Sequence, residues 1–150
     1  MSEQKQAFKP EKLELGQWLD KQILCVIATH GQGGYPNSAT VAFSQTEDFR
    51  FVIITDKDSR KAANIAANDK VAMTITNESD RYTLQLEGNA RRLSWDEFQQ
   101  DYAEHHYAKL PFSLPFKDIP GQTPFVITPV HMRFSDINVR PWELTEYELS

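Results

Sequence analysis

Between Phe49 and Thr76 the chain reads FRFVIITDKDSRKAANIAANDKVAMTIT. Phe49, Phe51 and Ile53 alternate with Arg50, Val52 and Ile54, which predicts a strand. A polar turn follows, and Asp58 or Ser59 is placed to cap a helix from about Arg60 to Asn68. That helix is mostly alanine with Ile65 as its anchor, so it can lie close against a sheet. Val71 to Asn77 predicts the next strand. The first helical turn carries Ser59, Arg60 and Lys61. Two cations at a helix N-terminus oppose the helix dipole unless an anion compensates. A hydroxyl, two cations and unsatisfied N–H groups at one point form a seat for a phosphate, at the end of a nucleotide or another cofactor.

Short β-patterned runs continue on both sides. Leu13, Leu15, Trp18, Leu19 and Ile23 recur near the helical period after Pro10. Ile23–Thr29 is almost wholly apolar and reads as a strand buried on both faces. His30–Pro36 is a glycine-rich turn, and Asn37–Ser44 is the returning hairpin arm. Tyr82–Leu93 alternates Tyr82, Leu84 and Leu86 against Thr83, Gln85 and Glu87. Trp95–Leu110 predicts one helix, with Ser94 as cap and Glu97 in the capping-box position. Pro111–Gln122 is an irregular connection. Thr123–Phe134 is a long strand interrupted by Pro129, which predicts an edge or a bend. Arg140–Leu149 has room for one more short strand. About six strands, mostly joined as hairpins, predict an α+β, mainly β chain folded as an antiparallel barrel with flanking helices.

At 150 residues the chain is expected to be one domain, 1–150, with residues 1–10 loose. The net charge of −5 argues against a nucleic-acid partner, which calls for a basic face. Cys25 is the only cysteine, so no internal disulfide forms and a buried strand position is expected. The N-terminal stretch has no apolar leader segment. No apolar run approaches the ~20 residues that span a bilayer. A cytoplasmic protein without a membrane partner is expected.

Other polar clusters carry less. Gly31, Gly33 and Gly34 lack the third glycine and the following helix of a dinucleotide fingerprint, and read as a hairpin turn. His105 and His106, near Asp101 and Glu104, lack the further ligands of a zinc site and read as an exposed polar helix face. His131 reads as a barrel or interface residue. Trp142, beside Arg140 and Pro141, either reaches a groove or packs the tail. Phe112 and Phe116 wall a pocket or join the core.

Four segments, in this order and spacing, resemble the pyridoxamine 5′-phosphate oxidase-like family of flavin-binding split barrels: ILCVIATHGQGGYPNSATVAF, FRFVIITDKDSRKAANIAANDKVAMTIT, LQLEGNARRL and VITPVHMRFSD. The likeness covers roughly residues 18–138. It implies a six-stranded split barrel, a homodimer, and one FMN per subunit in the groove between chains. It assigns the FMN phosphate to Ser59, Arg60 and Lys61, and the ring to the strand holding Thr40, Val41 and Ala42. It adds the strand around Ile54 and Thr55, and Thr83 and Gln85 from the neighbouring subunit. Three departures set the chain apart from the true oxidase. Ala39 replaces a basic residue, Thr83 replaces a glutamine, and VRPWELTEYEL lacks the C-terminal arginine and histidine motif. The resemblance thus implies an FMN-binding protein, as an oxidoreductase acting on a small molecule. The alternative is a non-catalytic binder of flavin, deazaflavin or haem in a stress or carrier role.

Overall fold

A computed structural model describes residues 6–149. Its strands are β1 (Leu24–His30), β2 (Pro36–Ala42), β3 (Ser44–Gln45), β4 (Phe51–Asp56), β5 (Lys70–Asn77), β6 (Tyr82–Arg92), β7 (Gln122–Asp136) and β8 (Glu143–Tyr147). The helices are α1 (Lys12–Asp20), α2 (Arg60–Ala67), α3 (Trp95–Asp101) and α4 (Ala103–Lys109), followed by a 3-10 segment over Pro111–Asp118. No helix among the described residues is long and apolar enough to cross a membrane.

Every strand pair is antiparallel, and the ladder runs β2-β1-β5-β6-β7-β4-β3, with β8 added to β7. β2 and β3 stand at opposite ends of this ladder, yet only Phe43 separates them in the chain. The Phe43 N–H still donates to Ile23 at 3.1 Å, whereas Ser44 already pairs with Val52 of β4. One bent strand therefore steps from one end of the ladder to the other and curls the sheet into a split barrel. The expected fold class holds. Among the described residues eight strands are present rather than six, because the two-residue β3 is separate from β2 and β8 forms in the tail.

The barrel is filled by Ile27, Phe51, Ile53, Met73, Ile75, Leu84, Ile127 and Phe134. α1 inserts Leu15 and Leu19, both fully buried, into the same cluster. Trp18 of α1 meets Phe134 edge-on at 5.3 Å. Residues 1–5 lie outside the described residues. Phe8 stacks on Tyr82 at 5.0 Å, and its N–H donates to the Asp136 carboxylate at 2.8 Å. A second cluster of Phe98, Tyr102 and Ala103 covers Val52 and Val126 on the other face of β4 and β7. This explains the unbroken apolar run in β4, which is covered on both sides.

Two expected elements differ in detail. The helix over Trp95–Leu110 has its Ser94–Glu97 capping box but breaks at Tyr102, where φ is −131°. Phe98, Tyr102, His106 and Leu110 are all buried. A spacing of four overruns the 3.6-residue turn by about 40° each time, and the break resets the phase so that all four face inward. Of the edge or bend expected at Pro129, the structure has the bend, and it lies in a central strand. The register of β6 against β7 shifts there, Glu87 pairing with His131 and Gly88 with Pro129. Val130 is the extra residue and points outward, so the missing proline N–H falls at a bulge.

Candidate functional site

β4 delivers the chain to the turn at Asp56. The Asp56 carboxylate accepts from the Asp58 N–H at 2.7 Å, and the Asp56 carbonyl from the Ser59 N–H at 3.0 Å. Both bonds tighten the turn. Ser59 then caps α2, its Oγ accepting from the Ala62 N–H at 3.2 Å. The first N–H groups of the helix, at Arg60 and Lys61, have no acceptor within the helix. Arg60 is exposed and Lys61 half-buried, and neither side chain has an ion pair or hydrogen bond among the described residues. Asp56 and Asp58 share the turn without pairing to either cation. The helix start therefore presents two cations without an ion-pair partner, and this donor set suits a phosphate.

α2 is fixed to the barrel by one polar side chain. Asn64 is 1% exposed and donates both amide hydrogens, to Thr29 Oγ1 of β1 and to Asn37 Oδ1 of β2, each at 2.9 Å. Gly31 makes room for this bond, since a Cβ there would lie 2.7 Å from Asn37 Oδ1. The sequence reading missed this network. Its one signal was an asparagine beside Ala62 and Ile65, the apolar face of the helix.

β2 also approaches β4 across the seam of the barrel. Thr40 is exposed and Ala42 half-exposed, whereas Val41 packs against the barrel core and offers a ligand only its backbone. In β4, Ile54 leans on the α3–α4 cluster and Thr55 is buried. Thr83 and Gln85 lie elsewhere. Cross-strand pairing sets Thr40, Val26, Thr74, Gln85 and Arg133 in one row across the outer face of β2, β1, β5, β6 and β7. Thr40 and Gln85 are three strand spacings apart, about 14 Å. Gln85 Oε1 accepts from Arg133 at 3.0 Å, and Thr83 and Thr76 share a hydroxyl bond of 2.8 Å. The expected residues thus do not meet on one strand pair: β1 and β5 separate those of β2 from Thr83 and Gln85, and β7 separates those of β4 from them. Beside this row a groove of about 520 Å³ opens over Ala28, His30, Ala72, Glu87 and Val130. Leu24, Val26 and Val130 are exposed on the same face.

The paired histidines separate. His105 is exposed, as expected, but His106 is 1% exposed, and its Nδ1 lies 2.7 Å from Ser44 Oγ. The exposed-face reading fails for His106 because α4 rests on β3. Burial, aided by the nearby Lys109 charge, lowers its pKa to about 4. Lys109 donates to Gln45 at 2.7 Å and sits 3.7 Å above the Phe43 ring. Burial lowers its pKa to about 7, against the pull of Asp20. Cys25 is buried, and burial pushes its thiol up to about 12. His131 is half-buried on β7, 3.5 Å from Glu146 of β8. Trp142 and Phe112 are exposed, so neither joins the core.

An antiparallel barrel whose ladder ends, β2 and β3, are joined by one bent strand has the form of a split barrel. Comparison with known proteins narrows this. A family model described as pyridoxamine 5′-phosphate oxidase matches residues 12–136, and the chain belongs to that family. A pyridoxine/pyridoxamine 5′-phosphate oxidase from Alcanivorax borkumensis is 30% identical over 99 residues, 61% of this chain. The matched stretch spans 47% of that relative, about half its length. A haem binding protein from Mycobacterium smegmatis superposes with a TM-score of 0.74 at 17% identity, over 94% of this chain and 59% of that one. A pyridoxamine 5′-phosphate oxidase-related, FMN binding protein from Nostoc punctiforme gives 0.62 at 17% identity, over 93% of each chain. At these identities the two structures establish the fold alone.

Proposed function

We propose that the protein binds FMN and acts as a flavin-dependent oxidoreductase on a small organic molecule. The unpaired cations Arg60 and Lys61 at the capped start of α2 carry this reading. Ser59 fixes the helix start, and Arg60 and Lys61 engage the phosphate. Thr40, Ala42 and the Val41 backbone border the ring, with the Ile54–Thr55 backbone behind them. Thr83 and Gln85 come from a second copy of the chain. Bound FMN supplies the electron-transfer chemistry, and the protein's part is to hold and orient it and to limit water access.

Mass spectrometry of the small molecule that copurifies tests the cofactor. Changing Arg60 and Lys61 to alanine is expected to weaken FMN binding by a few kcal/mol in total, at about 1.5–3 kcal/mol for each charge-assisted bond. Unchanged affinity rejects the phosphate seat. Oxidation of a reduced nicotinamide by the yellow protein separates an enzyme from a carrier.

A further inference from the structure

We infer that Asn64 is a positioning residue for the phosphate seat: its buried amide bolts α2 to the β1–β2 hairpin, and so sets Arg60 and Lys61 relative to Thr40 and Ala42. This rests on the reading of the α2 start as an FMN phosphate site. α2 is only eight residues long, and its other buried side chains are Ala62 and Ile65. Apolar contacts of that size hold a helix on a surface but tolerate sliding and rotation along it. Directed bonds do not, because each has a narrow range of distance and angle. Asn64 makes two, to acceptors on two different strands, which fixes both the position of the helix along the hairpin and its rotation. Asn64 lies one helical turn below Arg60, so a slip at the amide moves the cationic turn by a similar distance.

The acceptors are themselves held in place. Thr29 is 3% exposed within β1. Asn37 sits at the foot of β2, paired with Thr29 across the hairpin and packed against Gly31. The strand carrying Asn37 also carries Thr40 and Ala42, only three and five residues on. The same hydrogen-bond set therefore joins the proposed phosphate end and the proposed ring end of one ligand. A polar residue is costly at a buried helix position that leucine or alanine could fill, since both amide hydrogens must be satisfied.

The experiment compares the dissociation constants of FMN and riboflavin, which share the ring and differ in the phosphate. Asn64→Ala is expected to weaken FMN binding about tenfold and leave riboflavin binding unchanged, narrowing the preference between them. Thr29→Val removes one acceptor with little change of shape, is suited to a strand, and is expected to narrow the preference several-fold. It carries the test if Asn64→Ala fails to fold. A merely structural role lowers both affinities together. That outcome, or an unchanged preference in a folded variant, overturns the inference. The Arg60→Ala, Lys61→Ala double variant is measured alongside. If it narrows the preference while Asn64→Ala does not, only the positioning role fails. If the double variant leaves the preference intact, the phosphate seat itself is wrong.

Discussion

His106 is a buried ring bonded to a buried hydroxyl, and its pKa of about 4 couples folding to pH. The unfolded ring binds its proton near 6.5 and the folded ring only near 4. Between those values the unfolded state holds more protons, so stability rises with pH across this window and is lost as pH falls from 6.5 to 4. A shift of this size is worth on the order of 3 kcal/mol. Replacing His106 by glutamine, which keeps a polar partner for Ser44, is expected to flatten the stability curve between pH 6.5 and 4. Urea midpoints at several pH values measure the difference between the two proteins, and parallel curves refute the role given to burial. Lys109 adds slope of the same sign at higher pH, because its burial penalty is relieved as pH rises through about 7 toward 10.5. Single residues were legible where they broke a local rule. Arg60 and Lys61 stood out because cations oppose the helix dipole at a cap. Asn64 and His106 did not, since their partners are 35 and 62 residues away and only the fold brings them together.

Among elements, the ones with local signals were legible. Asp58 or Ser59 announced the start of α2, where Ser59 is the cap, Ser94 announced that of α3, and the alternation of Tyr82–Glu87 gave β6 its two faces. The break at Tyr102 had no glycine or proline to mark it, because the need to bury four side chains on one face produces it. β7 shows both cases. Pro129 correctly marked an irregularity, but the surrounding strand is central, a matter of pairing partners that no local pattern encodes. The bulge also constrains β6. A Cβ on Gly88 would lie 2.6 Å from the Thr128 carbonyl oxygen, a backbone atom that cannot swing aside. Gly88→Ala is therefore expected to force the two strands apart and destabilise the protein by about 1–3 kcal/mol, the usual cost of overpacking. The bulge adjoins the 520 Å³ groove, so the change should also disturb that face. An urea midpoint equal to that of the parent would show that the ladder absorbs the methyl group.

At the scale of the whole molecule, the proposed ligand has to meet residues that the ladder sets apart. On the ladder, β1 and β5 separate β2 from Thr83 and Gln85 of β6, and β7 separates β4 from them. In one copy a ligand touching both β2 and β6 must lie flat over Val26 and Thr74, open to water. A dimer that brought the β6 residues of one copy to the β2 residues of the other would also cover the exposed Leu24, Val26 and Val130. The dimer predicts a linkage that the flat arrangement does not. If two chains build the site, FMN and dimerisation stabilise each other reciprocally. Dilution should then release flavin from the protein, and added FMN should strengthen the dimer. Val26→Asp places a charge at the centre of the face and is expected to give a folded monomer with greatly weakened FMN binding. Sedimentation of parent and variant, with flavin fluorescence followed on dilution, reads both effects. A monomer that holds FMN as tightly as the parent would assign the ligand to one chain and leave Thr83 and Gln85 outside the site.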